Sequence, residues 1–458
     1  MIENVTISCS KCAILERKIE ELCAVVKQLE NKISLLEGSR SSRTSSTAPS
    51  QDIGRSNRVS LRSSTGKRPG GQPGHAGHTL SLSDAPDEII DHQPHSCEHC
   101  GTSLQAIESS SYVRRQIVDL PPDVSVEYIE HRSHLITCPQ CLTENQGSFP
   151  ERLRAPIQYG PRVEAMTGYL SVYQYMPYYR ICKLFKDFFG LPLSPGTVDS
   201  FLENLAQKST PAYEKIRDML CKSHVVGSDE TGCRVNGKNH WFHVWQTTAL
   251  TFIVAFVSRG YAAIEKHFAD GFKRSVYVSD CLASQLKVNS KAHQLCIAHL
   301  LRELTNFSEK LGHQWSLQMK KLFKEAIEFK KAMTQEDYRN PPAEIIQFNK
   351  QLDKLLETDL STLHSKEKSF IKRLIKHRQS VFTFLTHPYV PPDNNDSERA
   401  IRNVKVKMKV SGGFRNKEGK GAERYAKIRS VIDTTIKNGQ DVYATMIALA
   451  NCKVVRGT

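Results

Sequence analysis

The chain has 458 residues, 39% of them hydrophobic, with 63 Lys and Arg against 48 Asp and Glu. That length predicts roughly two to four domains, and a formal net charge of +15 favours a polyanionic partner, nucleic acid being the commonest. No run approaches the roughly 18 apolar residues of a spanning helix, which argues against a membrane protein, and the opening MIENVTISCSKC lacks a secretory pattern, so a cytoplasmic location is expected.

The first segment, 12–37, carries a heptad seam. Ile19, Val26 and Ile33 take a positions, and Leu15, Leu22, Leu29 and Leu36 take d positions. β-branched residues at a with Leu at d favour a parallel dimer; an amphipathic helix packed on its own domain is the other reading. Gly38 ends the helix. Cys9 and Cys12 have no second pair nearby and are read as incidental. Residues 38–86 follow as a basic linker and arm. Ten Ser and three Thr fall within 39–65, too polar a stretch to form a core. Pro and Gly then interrupt Gly66–His75 throughout, which forbids a helix or a central strand. Lys67 and Arg68 make it either an arm that contacts DNA phosphates or a charged tether.

Segment 87–155 reads as a zinc-finger-like module. The 13 cysteines are an odd number in a long chain. Four of them form two Cys-x-x-Cys pairs, Cys97/Cys100 and Cys138/Cys141, a pattern of metal ligation in a reducing compartment. Four thiolates suit a closed tetrahedral Zn2+. The strand-like stretches Tyr112–Val118 and Val124–Ile136, split by Pro121-Pro122, make the module resemble a zinc ribbon with a long hairpin. Residues 156–210 read as helices. Ser194 is an N-cap and Pro195 a first helical residue, so Thr197–Leu205 is a candidate recognition helix of a helix-turn-helix. Plain helical packing is the alternative.

From 211 to 437 the pattern is mixed α/β. Trp241–Thr247 and Thr251–Val257 are β-rich, Ala262–Phe268 is helical, and Ser275–Ser279 is a short strand ending at Asp280. Leu295–Ile297 reads as another strand, followed by a helix from His299. His224–Ser228 leads to Asp229. Open α/β sheets bind ligands at the carboxyl ends of their strands, and both aspartates are expected there. Glu230 is expected to point away from Asp229 if the strand continues. Glu398 sits in the first turn of a helix opened by Asn394. The 117 residues between Asp280 and Glu398 are too many for one loop and predict a helical insertion over 300–390, with helices near 298–333, 342–358 and 366–386. A C-terminal helical segment, 438–458, closes the chain.

Four motifs taken together resemble the insertion-sequence-66 (IS-66) transposases: Ser228-Asp229-Glu230-Thr231, Val278-Ser279-Asp280, Cys296–Arg302 and Asn394–Arg402. The Gly66–His75 arm and the order of zipper, arm, four-cysteine module and α/β domain fit as well. The resemblance implies a multidomain α/β protein whose catalytic domain has a ribonuclease-H-like fold. It also implies a catalytic triad of Asp229, Asp280 and Glu398 and small accessory proteins as partners. Cys281 departs from the small or aromatic residue expected after the second aspartate.

Such a triad would hold two Mg2+ or Mn2+ ions, which favour oxygen ligands, and would cleave DNA and transfer strands with no covalent protein intermediate. Segment 399–429 has eleven Lys or Arg and two acids. Arg399, Arg402, Lys405, Lys407 and Lys409 there are either a phosphate-binding surface or a solvated basic face. The expected partners are element-end and target DNA and a second copy of the chain. A DNA-binding regulator without catalysis, or an inactive copy, are the alternatives.

Overall fold

The computed structural model describes residues 10–38, 81–105, 107–118, 125–415 and 419–453. The Ser/Thr linker, the arm with Lys67 and Arg68, Cys9 and Pro121-Pro122 lie outside the described residues. The chain divides into a small unit, Gly54–Tyr128, and a large unit made of the rest.

In the small unit, Ser83 and Gln116 exchange two hydrogen bonds of 2.7 Å, and an isolated bridge joins Ser96 to Ser103. The expected strand Tyr112–Val118 does not form a ladder. Tyr112, Val113, Ile117 and Val118 are exposed, so their β propensity has no packed face to satisfy. Of the described residues of the expected strand Val124–Ile136, only Leu135 and Ile136 pair, as part of Leu135–Thr137 (β1, in the large unit), with Glu144–Gln146 (β2).

The large unit opens on α1 (Ser10–Gly38). Further on come α2 (Pro161–Gly168), a π turn at Tyr169–Tyr173, α3 (Tyr178–Phe189) and α4 (Pro195–Leu220). Ser194 caps α4 as expected, its hydroxyl accepting from Thr197 N at 3.0 Å. The stretch Thr197–Leu205 is the first part of this 26-residue helix, which runs through the boundary expected at 210. Its apolar stripe explains the length: Val198, Leu202 and Leu205 are buried together with Ile216 and Leu220. Asp199 and Glu203 pair with Arg424, so this part of the helix is committed to packing.

A five-stranded mixed sheet follows: β3 (Val225–Val235), β4 (Lys238–Gln246), β5 (Thr251–Phe256), β6 (Phe272–Ser279) and β7 (Ser290–Leu295). Its order is β5-β4-β3-β6-β7. Asn236 and Gly237 both have positive φ, the tight turn that Asn-Gly favours between β3 and β4. Helix α5 (Ala262–His267) leads into β6, and β6 runs parallel to both β3 and β7.

The insertion is helical: α6 (Ile297–Lys310), α7 (Gln314–Ala332), α8 (Gln335–Arg339), α9 (Ala343–Leu356), α10 (Ser365–Lys376) and α11 (Thr383–Thr386). A single helix over 298–333 was expected; Gly312, at φ +67°, breaks it. The insertion has its own apolar core, which includes Val276, Val278 and Leu295 from the sheet. Helices α12 (Asn395–Ser411), α13 (Gly421–Lys437) and α14 (Val442–Asn451) complete the fold and join β3, β4, β5 and α4 in the other core.

Candidate active site

β3 and β6 pair through Val225/Val276, Val226/Tyr277 and Gly227/Val278, an offset of 51 residues. The same offset puts Asp229 level with Asp280. Asp229 is therefore not at the end of a strand, as expected, but in the middle of β3. The strand runs on because β4 pairs with it as far as Val235. Its parallel partnership with β6 nonetheless stops at Gly227, so both acids stand where the parallel ladder ends.

Alternation puts Asp229 on the face of Gly227, and Asp280 on the face of Val276 and Val278. Asp229 Oδ1 accepts from Glu230 N at 2.8 Å, and Asp280 Oδ1 from Leu282 N at 2.9 Å. Burial, then the charges of Glu230 and Asp280, push the Asp229 carboxyl up to about 7, with Lys405 opposing. A carboxylate buried beside two other acids is relieved by a cation.

Gly227 brings the third element in. A Cβ there would lie 2.6 Å from Gln246 Nε2, 2.6 Å from Ser397 Oγ and 3.0 Å from Asn394 Oδ1. The start of α12 thus rests directly on β3. Asn394 Nδ2 donates to Ser228 O at 2.6 Å, Ser397 Oγ donates to Asn394 Oδ1 at 2.6 Å, and Gln246 Nε2 donates to Ser397 Oγ at 3.2 Å. Ile297 N donates to Pro392 O at 2.9 Å, which ties the same turn to α6. These bonds fix the first turn of α12, where Glu398 lies.

Glu398 itself is held by α6. Arg302 Nη2 donates to its two oxygens at 3.1 and 3.2 Å, and His299 Nδ1 is 3.6 Å from Oε1. Among the described residues, the set of three whose ligand atoms all lie within 4.8 Å of one another is Cys296, His299 and Glu398, not the three carboxylates. The expected strand Leu295–Ile297 ends at Leu295; Cys296 caps α6, which starts at Ile297. Burial pushes the Cys296 thiol up to about 12. It also lowers the His299 pKa, followed by Arg302, while Glu398 and Asp280 oppose.

Glu230 points to the opposite face, as alternation requires. Its carboxylate is buried and accepts from Arg259 at 2.8 Å and from Gln285 at 3.1 Å. Gln285 accepts from Tyr277 at 2.5 Å, and Tyr277 from Trp245 at 3.1 Å. This chain of bonds braces β3, β4 and β6 behind the aspartates.

Arg402, Lys405 and Lys409 are exposed. They follow Glu398 at four, seven and eleven residues, one face of α12. Lys407 does not belong with them. It is 7% exposed, and its Nζ donates to Ser171 O at 2.9 Å; burial pulls its pKa down to about 8. Its expected role at DNA is replaced by an internal one, because position 407 falls on the buried side of the helix. Arg399 pairs with Asp396 and lines an open cleft with Tyr173, Tyr175 and Lys437.

The family model of the Transposase IS66 family matches residues 156–422. The chain belongs to the IS66 transposase family. The match spans Asp229, Asp280 and Glu398, the insertion and the basic face of α12. No curated protein matches the chain. Among the described residues, no helix is long and apolar enough to cross a membrane.

Upstream of the matched region, this IS66-family chain has two turns of the same construction. Cys97 N donates to Thr102 O at 2.8 Å and Gly101 N to Cys97 O at 2.9 Å; Cys138 N donates to Thr143 O at 2.9 Å and Leu142 N to Cys138 O at 2.9 Å. The residue after the second cysteine is left-handed in both, Gly101 at +71° and Leu142 at +55°. Hydrogen bonds from Thr102 and Thr143 lower the pKa of Cys100 and Cys141. Sequence reasoning missed Gly227, Asn394 and Ser397 as the seat of α12, and Arg302 as the partner of Glu398. The Asn394–Arg402 motif contained two of these residues, but nothing in it said what they touch.

Proposed function

We propose that this protein is a metal-dependent DNA transposase that cleaves element ends and transfers strands with Asp229, Asp280 and Glu398. The observation that carries the reading is the pair of aspartates level on adjacent strands, with α12 seated on Gly227 beside them. The strand order, with three antiparallel strands extended by two parallel ones, supports a ribonuclease-H-like fold. The site's chemistry fits a hard divalent ion: Asp229 and Asp280 are neighbouring oxygen donors, and Asp229 is buried beside the negative charges of Glu230 and Asp280.

Asp229 and Asp280 would hold Mg2+ or Mn2+, with Glu398 completing the set. Bound there, a metal pair activates the attacking oxygen and stabilises the leaving one. Arg302 now occupies Glu398, and a DNA phosphate is the natural competitor for its guanidinium. Substrate entry at Arg302 would then free Glu398 for the aspartates. Arg402, Lys405 and Lys409 run on from Glu398 and would hold the phosphates of the strand being cut; the Lys67/Arg68 arm would add contacts. The two cysteine turns offer thiolates to Zn2+, and α1 an apolar seam to a second copy.

The test is nicking and strand transfer on DNA carrying the element's own terminal repeats, with and without Mg2+. The proposal requires that Asp229→Asn abolish both steps while DNA binding persists. Equal activity of wild type and variant would remove the triad, and DNA binding without any nicking would favour a non-catalytic regulator.

A further inference from the structure

The α6–α12 junction carries a donor set unlike that of the aspartates. Cys296 Sγ, one imidazole nitrogen of His299 and one oxygen of Glu398 lie within 4.8 Å of one another. His299 Nδ1 is buried with no hydrogen-bond partner, although it lies 3.6 Å from Glu398 Oε1, too far for a hydrogen bond. A buried ring nitrogen left open among potential ligands needs a partner. Cys296 is wholly buried, and its sulfur accepts the Asn394 N–H at 3.2 Å, which orients the lone pairs and stabilises negative charge on sulfur. One thiolate, one imidazole and one carboxylate suit Zn2+, with a fourth position left to water. They do not suit Mg2+, which prefers oxygen.

We propose that Cys296, His299 and Glu398 form a binding site for a thiophilic divalent cation of the Zn2+ class, separate from the aspartate pair. On binding, the Cys296 thiol releases its proton to solvent and the thiolate ligates. His299 Nε2 now accepts from Arg302 Nη1 at 3.1 Å. When Nδ1 ligates, Nε2 must carry the imidazole proton, so the Arg302 guanidinium has to turn off the ring. An ion at this site also keeps Glu398 away from Asp229 and Asp280, and this consequence alone rests on the function proposed above.

The experiment titrates Co2+, which gives a sulfur-to-metal charge-transfer band, into the full-length, metal-stripped chain. Wild type should bind about one equivalent more than Cys296→Ser or His299→Ala, with Cys97→Ser retaining that equivalent. His299→Ala should weaken the site by at least roughly 100-fold, the upper end of what loss of an outer-shell partner costs, and Arg302→Ala should tighten it by removing a neighbouring positive charge. His299 has a side chain 34% exposed, so its truncation keeps the test available if Cys296→Ser does not fold. Identical stoichiometry and spectra in wild type, Cys296→Ser and His299→Ala would overturn the site. Mg2+-dependent nicking measured on the same proteins separates the two proposals. Nicking without the extra equivalent leaves the transposase reading and removes this site; the extra equivalent without nicking does the reverse.

Discussion

Asp229 on β3 and Asp280 at the end of β6 stand at one level of the sheet, separated by the 51 residues that separate the paired Val225 and Val276. Burial raises the pKa of the Asp229 carboxyl, and the neighbouring charges of Glu230 and Asp280 raise it further. A charge set of this kind destabilises the metal-free fold.

The Asp229 carboxyl is raised from 3.8 to about 7. Its stabilising contribution is therefore complete below the unfolded value and is lost as pH rises through about 7. Asp229→Asn stays neutral throughout. Without metal, the variant should gain stability over wild type between about pH 4 and 7 and keep that gain above pH 7. The expected size is roughly 1–3 kcal/mol, discounted for partial solvent screening. Urea denaturation at pH 5 and pH 8 measures it. Added Mg2+ should stabilise wild type more than the variant. A gain at pH 5 equal to that at pH 8 would contradict a strained charge at Asp229.

Gly227→Ala tests the seat of α12. The added methyl meets Gln246, Ser397 and Asn394 at 3.0 Å or less, and the flexible partners can yield only by moving the helix start. Overpacking of this kind costs about 1–3 kcal/mol. A shift of Glu398 by about 1 Å would lower nicking on the order of 100-fold. Thermal melting and nicking rates read the two effects separately. Unchanged nicking in a folded Gly227→Ala protein would mean that this contact does not position the site.

Much of this domain can be read directly from the residues. β4, β5 and α5 follow from apolar runs and turn residues, the Ser194 cap from Ser-Pro, and the direction of Glu230 from simple alternation. Asp229 in mid-strand was not legible, because composition does not say that β3 has a long antiparallel partner on one side and a short parallel one on the other. Gly227 was silent because its role depends on Asn394 and the helix it opens, 167 positions away. Lys407 looked like its basic neighbours, and only the packing of α12 against Ser171 separates them. The stretch Tyr112–Val118 has strand chemistry without a ladder, since local propensity cannot supply a pairing partner.

The two kinds of lysine on α12 should behave oppositely. Lys405→Ala and Lys409→Ala should leave stability nearly unchanged and make the salt dependence of DNA binding shallower, by about one unit of log–log slope for each phosphate no longer neutralised. Lys407→Ala should leave that slope alone and cost roughly 1–3 kcal/mol, because it removes a buried hydrogen bond to Ser171 O. Fluorescence anisotropy across a salt series, beside thermal melts, tells the two apart. A salt-slope change in Lys407→Ala equal to that in Lys405→Ala would return Lys407 to the DNA surface.

The turns Cys97–Thr102 and Cys138–Thr143 are each built like a knuckle that offers two thiols to zinc, and the pattern of the four cysteines in the sequence predicts structural zinc. Their backbone bonds and left-handed fifth residues preset the thiols without any apolar core around them, so metal should supply most of the local order. Purified protein should contain zinc that is lost with Cys97→Ser or Cys138→Ser, and chelation should sharply increase proteolysis between 81 and 155 while leaving the helices of the insertion protected. Zinc content unchanged in both variants would remove the assignment.

The seam of α1 makes the last prediction. Leu15, Ile19, Leu22, Val26, Leu29 and Ile33 are each more than half exposed in the single chain, a large apolar surface to leave in water. β-branched residues at a and leucines at d are the pattern of a parallel two-stranded coil, so a second α1 is the expected cover. Light scattering should find the full-length chain as a dimer or larger assembly. Leu22→Asp with Leu29→Asp should reduce it to a monomer, because each charge would otherwise be buried unpaired against its own copy. The sheet lies elsewhere, so the melting temperature of the α/β core should stay within a few degrees of wild type. A double variant that remains a dimer would show that the chain associates through another surface and that α1 is covered within its own protomer.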